Sequence, residues 1–140
     1  MRWRNVDTLL RSRLKTAGIL NGCGPKGGRL GALVPNRILR LSVEEFCDWH
    51  DLNYTIGGKE ADRIKADWQF YTAIYQRAKE LTSSFWLRWA RPFYCFTAWC
   101  YYRAVRLGGA KHFYYGVPRD KNAILSLLEV EECKLNEQTL

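Results

Sequence analysis

The chain has 140 residues, 47% of them apolar, so a single domain with a compact core is expected. Its five cysteines are too few and too scattered for a dense disulfide framework, and its longest uncharged C-terminal stretch, residues 92–102, is too short to span a bilayer. The formal charge of +8 is compatible with nucleic acid, an anionic membrane surface or an acidic substrate as partner, and equally with a basic protein that has none.

The N-terminal segment predicts a helix followed by a loop. Apolar side chains recur at helical spacing over residues 5–17, with basic residues between them. The basic residues interrupt the apolar run that a signal peptide needs, so a cleaved signal peptide is not expected and the compartment stays open. Residues 21–28 contain four glycines and a proline, which predicts a loop.

Two long helices are predicted in the middle of the chain. Ser42 and Glu45 fit a capping box that would open the first helix, in which apolar side chains recur up to residue 54. The glycine pair at residues 57–58 would end it, and the second helix is expected from residue 59 or 60 to about residue 81.

The C-terminal half predicts one more helical segment and an acidic tail. Residues 85–115 are rich in aromatic and basic side chains, with a break or a restart of the helix expected at Pro92 and an end at residues 108–109. The tail occupies residues 122–140. Because no strand pattern is convincing, the sequence predicts a small all-α domain over residues 1–140.

The strongest chemical signal is the run Cys47-Asp48-Trp49-His50-Asp51-Leu52-Asn53-Tyr54. His50 shares a helix face with apolar side chains, while Asp51 lies about 100° further round the helix and can point to a neighbouring loop. Calcium takes oxygen ligands from carboxylates and backbone carbonyls, and the glycine-rich loop offers free carbonyls. The simpler alternative is a hydrogen-bonded core histidine.

The loop Gly22-Cys23-Gly24, followed by Cys47-x-x-His50-Asp51-x-x-Tyr54, resembles the secreted phospholipase A2 superfamily over roughly residues 20–75. The chain departs from that family at Asn53, where a cysteine is usual, and in lacking most of the family's other cysteines. The resemblance implies a disulfide-poor member built on two long antiparallel helices, with a catalytic core at residues 18–82. It also implies a disulfide between Cys23 and Cys47, for which the alternative is two buried free thiols.

The resemblance also implies a calcium site. In the register fixed by the two cysteines, the ligands are the carbonyls of Gly22, Gly24 and Lys26 and the carboxylate of Asp51. A competing register moves the carbonyls to Cys23, Pro25 and Gly27. A zinc site built from Cys23, Cys47 and His50 is a further alternative by ligand type, although it lacks a fourth ligand.

A second carboxylate must orient the histidine in this family, and the second long helix offers Asp62 and Asp67. Asp67 lies on the apolar stripe of that helix, whereas Asp62 shares a face with lysines. A buried carboxylate must find a partner, which His50 would supply, so Asp67 is preferred. Tyr54 would hydrogen-bond Asp67, or else simply pack in the core.

The implied function is calcium-dependent hydrolysis of the sn-2 ester of glycerophospholipids, a lipid-degrading hydrolase activity at a membrane interface. His50 would activate water, Asp67 would orient His50, and calcium with the Gly24 amide would stabilise the oxyanion. His112 is interpreted as an ordinary histidine. The alternative function is a catalytically silent basic module, for lipid or nucleic acid, on the same fold.

The aromatic and basic side chains of residues 85–115 bear on the partner. Rings mixed with arginines suit a lipid headgroup interface and equally suit nucleic acid bases and phosphates. A third interpretation is an aromatic core with a solvated basic face. Beside an esterase-like motif, an anionic phospholipid surface is the expected partner and nucleic acid is not, while the oligomeric state is left open.

Overall fold

The computed structural model describes residues 8–17, 19–20, 37–120, 122–124 and 126, and 74% of the described residues are helical. The all-α prediction is therefore right at the level of class. The loop at residues 21–28, with Gly22, Cys23, Gly24 and Lys26, and the acidic tail from residue 127 lie outside the described residues. The elements are α1 (Thr8–Thr16), β1 (Arg37–Ile38), β2 (Leu41–Ser42), α2 (Glu44–Ile56), α3 (Glu60–Leu81) and α4 (Arg91–Gly108), with 3-10 segments at Phe85–Ala90 and Ala110–His112.

A short hairpin precedes α2, where no strand was predicted. Its two-residue strands pair antiparallel and are too short to show an alternating pattern in the sequence. Ser42 belongs to β2, and Val43 occupies the N-cap of α2 without a side-chain cap hydrogen bond. The predicted capping box of Ser42 and Glu45 is therefore wrong. Val43 is fully buried in the core, so packing rather than capping fixes where α2 begins.

Helices α2 and α3 form an antiparallel hairpin. His50 contacts Phe70 and Asp67, whereas Tyr54, one turn later in α2, contacts Asp67, so later residues of α2 face earlier residues of α3. Gly57, at φ 75°, makes the turn, and a Cβ there would collide with the Tyr114 carbonyl. Helix α3 begins and ends where the sequence predicted.

Helix α4 packs antiparallel on α3, and the core lies between α2, α3 and α4. Trp68 contacts Tyr102, and Arg91 at the start of α4 donates to the Thr82 hydroxyl and carbonyl at 3.1 and 3.0 Å. The restart predicted at Pro92 is confirmed, because α4 begins at Arg91 and Pro92 lies in its first turn, where its missing N–H costs nothing. The core contains Leu41, Val43, Cys47, Phe70, Ile74, Ala78, Tyr94, Ala98 and Tyr101.

Helix α1 packs on the outer side of α2. Leu14 and Leu52 are buried together, and the Arg11 guanidinium donates to the buried Asp48 carboxylate at 2.6 Å. Lys15 bonds Glu44 at 2.7 Å. None of the helices in the described part of the chain is long and apolar enough to cross a membrane.

Candidate active site

His50 and Asp67 meet in the interior between α2 and α3. The His50 Nε2 lies 2.7 Å from the Asp67 Oδ1, and the two side chains are 7% and 0% exposed. The His50 ring packs against the rings of Tyr54 and Phe70, with centroids 4.1 and 4.8 Å away. With Nε2 committed to the carboxylate, Nδ1 is the nitrogen that can accept a proton.

Tyr54 completes the contact that the sequence anticipated. Its hydroxyl donates to the same Asp67 Oδ1 at 2.6 Å. The ring meets Phe113 edge-on at 5.2 Å, and a Cβ at Gly109 would collide with the Tyr54 hydroxyl, so the glycine that follows α4 leaves room for it. Tyr54 is thus held between Asp67 of α3 and the segment that follows α4.

The choice between two carboxylates on α3 is clear in the geometry. Asp62 is exposed and accepts the Lys59 backbone N–H at 2.8 Å, which caps the helix. Asp67 is buried and contacts His50. The other histidine, His112, is exposed in the 3-10 segment after α4, so it is separate from this cluster.

Two arginines contact Asp67 that the sequence did not predict. The Arg106 Nη1 donates to Asp67 Oδ2 at 2.8 Å, and the Arg63 Nη1 lies 3.5 Å from the same oxygen. Arg63 stands four residues before Asp67 on α3, a spacing that could have signalled the pair. Arg106 is 39 residues away, and no local pattern could have found it.

The surroundings keep Asp67 ionised. Burial by itself raises the pKa of Asp67, but the hydrogen bonds from His50, Tyr54 and Arg106 outweigh it, so the pKa lies below its ordinary value of 3.8. Burial and the bond to Asp67 raise the pKa of Tyr54, which keeps its hydroxyl protonated as a donor. An ionised, immobile carboxylate on Nε2 fixes the tautomer of His50 with its proton on Nε2.

A second carboxylate, Glu60, braces the arginines from the surface. Arg63 donates to both Glu60 oxygens, at 2.8 and 2.6 Å, and the Tyr115 hydroxyl donates to it at 2.8 Å. Those bonds lower the pKa of Glu60 to about 2. The backbone joins the same region, because the Gly58 N–H donates to the Tyr114 carbonyl at 2.9 Å. The segment after α4 is therefore tied to the start of α3.

The proposed metal ligands are described only in part. Asp51, half-buried on α2, follows His50 directly, and its carboxylate is the hard oxygen donor that calcium prefers. Among residues 8–17, 19–20, 37–120, 122–124 and 126, no three His, Cys, Asp or Glu side chains group closely enough to hold a metal ion. The predicted calcium site uses one carboxylate and several backbone carbonyls, so the absence of three such side chains does not bear on it. The calcium site therefore stays a prediction.

Cys47 is disulfide-bonded, while Cys95 and Cys100 are free. Cys23, the partner that the resemblance implies, lies outside the described residues. The free-thiol alternative is wrong for Cys47. The zinc alternative also loses a ligand, because a disulfide sulfur is not a thiolate.

Comparisons with protein-family models, with curated proteins and with solved structures found no match for this chain.

Proposed function

We propose that this chain is a calcium-dependent phospholipase A2 that hydrolyses the sn-2 ester of glycerophospholipids. The observation that carries the proposal is the buried contact of His50, the histidine of the resembling motif, with the carboxylate of Asp67 on the next helix, braced by Tyr54. A charged carboxylate without solvent contact is costly unless it is paired and hydrogen-bonded, as Asp67 is here. This pairing holds His50 by Nε2 and leaves Nδ1 able to take a proton.

The hydrolysis proceeds without a covalent enzyme intermediate. Nδ1 of His50 takes a proton from water as the water oxygen attacks the ester carbonyl. The bond to the glycerol oxygen then breaks, and His50 returns the proton to that oxygen, which gives a fatty acid and a lysophospholipid. Asp67 remains ionised and stabilises the imidazolium that forms between these steps.

Calcium fits the proposal through Asp51 and the loop that precedes α2. The carbonyls of Gly22, Gly24 and Lys26 would hold the ion together with the Asp51 carboxylate. When bound, calcium supplies Lewis-acid polarisation of the ester carbonyl and stabilises negative charge on its oxygen. The Gly24 amide would donate to the same oxygen. The disulfide at Cys47 anchors the start of α2, three residues before His50.

A silent binding module on the same fold is the competing function. The exposed aromatic and basic side chains on and before α4 favour binding of an anionic ligand whether or not catalysis occurs. That module would bind lipid or nucleic acid without turnover, whereas the proposed enzyme would turn over its phospholipid.

Hydrolysis of phospholipid labelled at sn-2 separates them. One sample of vesicles is incubated with the protein in calcium and a separate sample in chelator, and free fatty acid is measured in each. We expect release in calcium alone. His50→Gln should lower release by several orders of magnitude, and His112→Gln, the matched histidine outside the site, should not. Near-normal release by a folded His50→Gln protein would refute the proposal, and no release by the wild type would favour the binding module.

A further inference from the structure

Six large aromatic side chains stand exposed in the segment that leads into α4 and along α4 itself. They are Phe85, Trp86, Trp89, Phe93, Phe96 and Trp99, which we call the aromatic surface. Trp86 and Trp89 are each 81% exposed. The members recur mostly every three or four residues, so they follow one side of the chain. A patch of this kind on a folded protein marks an interaction site.

The opposite side of α4 shows that this exposure is not a failure to pack. Tyr94, Ala98 and Tyr101 are buried there, and Tyr101 meets Phe70 of α3 in the core. The interpretation as an aromatic core therefore holds for these tyrosines and is wrong for the aromatic surface. Both sides of α4 therefore carry aromatic side chains, and only one side is covered within the described part of the chain.

The segment that carries the aromatic surface has charge of one sign. Residues 81–119 contain six Lys and Arg and no Asp or Glu. Arg106 and Arg91 are engaged by Asp67 and Thr82. Arg88 and Arg103 are exposed among the rings, and the Arg103 guanidinium lies 5.8 Å from the centre of the Trp99 ring. The surface thus combines hydrocarbon with positive charge.

A phospholipid bilayer fits this combination better than the other occupants. A second copy of the chain would bring like charges together, which opposes association. Single-stranded nucleic acid stacks on rings, but it has no use for the bare hydrocarbon of Leu107, which is 78% exposed further along the same helix. Tryptophan, phenylalanine and arginine on one helix side are typical of a helix lying in a bilayer interface.

We propose that the aromatic surface inserts into the interface of an anionic bilayer, with Arg88 and Arg103 at the lipid phosphates. This deepens the proposed function, because it names the surface through which the enzyme would reach its lipid. Helix α4 packs directly on α3, which carries Asp67, and packed helices lie about 10 Å apart. Docking on α4 would therefore hold the His50–Asp67 pair within one helix layer of the membrane-bound helix.

The first test measures insertion on vesicles of ether-linked phosphatidylglycerol and phosphatidylcholine, which contain no carboxylic ester to hydrolyse. The variant Trp86→Ala/Trp89→Ala should lower the partition coefficient about tenfold or more for each ring removed. The matched control is Ile64→Ala/Val117→Ala, which removes two exposed apolar side chains elsewhere and should leave partition unchanged. Equal binding by the wild type and the tryptophan variant would overturn the proposal.

The second test measures charge. Partition should be weaker on pure ether-linked phosphatidylcholine and at high salt. Arg88→Gln/Arg103→Gln should lower partition on the anionic vesicles roughly fivefold per charge, since each basic residue near such a surface is worth about 1 kcal/mol. Arg13→Gln/Arg77→Gln changes the net charge equally at exposed positions outside the surface and should have a smaller effect. Equal losses of partition in the two double variants would show that only net charge matters and would overturn the proposed role of Arg88 and Arg103.

Competition with single-stranded oligothymidine at equal charge concentration decides the class of ligand. Anionic vesicles should win and should shift tryptophan fluorescence to the blue. Displacement by oligothymidine with unchanged fluorescence in vesicles would overturn the proposal. Because these lipids carry no carboxylic ester, the outcome is independent of turnover. Binding without hydrolysis of ester lipids would instead refute the proposed function and leave the surface intact.

Discussion

At the scale of single residues, Asp67 is the centre of the molecule's polar interior. One oxygen receives hydrogen bonds from His50 and Tyr54, and the other faces Arg106 and Arg63. Each partner favours the ionised carboxylate, and without them burial would favour the neutral acid. Asp67 therefore depends on four side chains from three helices, and each of them can be tested separately.

Arg106 is expected to be a positioning residue for the His50–Asp67 pair. Arg106→Gln removes the charged partner from Asp67 Oδ2 while Arg63, at 3.5 Å, remains. We expect the free energy of unfolding to fall by about 1–3 kcal/mol and the pKa of Asp67, followed by carbon NMR, to rise. Arg103→Gln, one turn earlier and exposed, is the matched control and should leave both quantities nearly unchanged. If Arg106→Gln behaved like Arg103→Gln, the positioning role would be ruled out.

Asp51 is expected to provide the metal carboxylate. Asp51→Asn should abolish calcium binding measured by calorimetry, because the variant replaces the only charged ligand of the proposed site. Glu45→Gln removes one negative charge from the exposed side of the same helix and should bind calcium like the wild type. Unchanged affinity in Asp51→Asn would move the metal elsewhere in the chain.

At the scale of elements, the α2–α3 turn joins the helices that carry His50 and Asp67. Gly57 and Gly58 both have positive φ, and the chain after α4 closes on them through the Tyr114 and Gly58 backbone bonds. The turn is therefore constrained in two ways: its backbone conformation favours glycine, and the segment at Tyr114 approaches it closely.

Substitution in this turn should be far more costly than at the end of α4. Gly57→Ala places a Cβ against the Tyr114 carbonyl at a positive φ, so we expect a loss of about 2 kcal/mol or more in the free energy of unfolding. Gly108→Ala is the matched control, since a Cβ there meets nothing within 4 Å and it should be neutral or slightly stabilising. Denaturant unfolding of both variants measures the difference, and similar values would contradict the argument.

At the scale of the whole molecule, the buried polar cluster links stability to pH. Because the pKa of Asp67 in the folded chain lies below 3.8, the stability it contributes is complete above that ordinary value and is lost as pH falls through the lower folded value. The wild type should therefore lose stability as pH drops below about 4. The cluster joins α2, α3 and α4, so its protonation should weaken the fold as a unit.

Asp67→Asn should remove this part of the acid sensitivity. At neutral pH we expect it to cost about 3 kcal/mol or more, because Arg106 loses its buried partner. The variant should then show a shallower decline of unfolding free energy in acid than the wild type. Asp62→Asn keeps a helix-capping side chain at an exposed position and should decline as the wild type does. A wild-type slope in Asp67→Asn would show that other carboxylates govern acid unfolding.

The sequence by itself determined the helical class, the bounds of α3, the end of α4 and the preference for Asp67 over Asp62. These follow from local rules: helical periodicity, glycine at helix ends, and the cost of an unpartnered carboxylate on an apolar stripe. The sequence could not predict that Arg106 contacts Asp67, because two residues 39 positions apart share no local periodicity. Only the tertiary structure decided that pairing, and only it decided which aromatic side of α4 is covered. Both sides of that helix are apolar, so hydrophobicity alone cannot distinguish the side that packs on α3 from the side that does not.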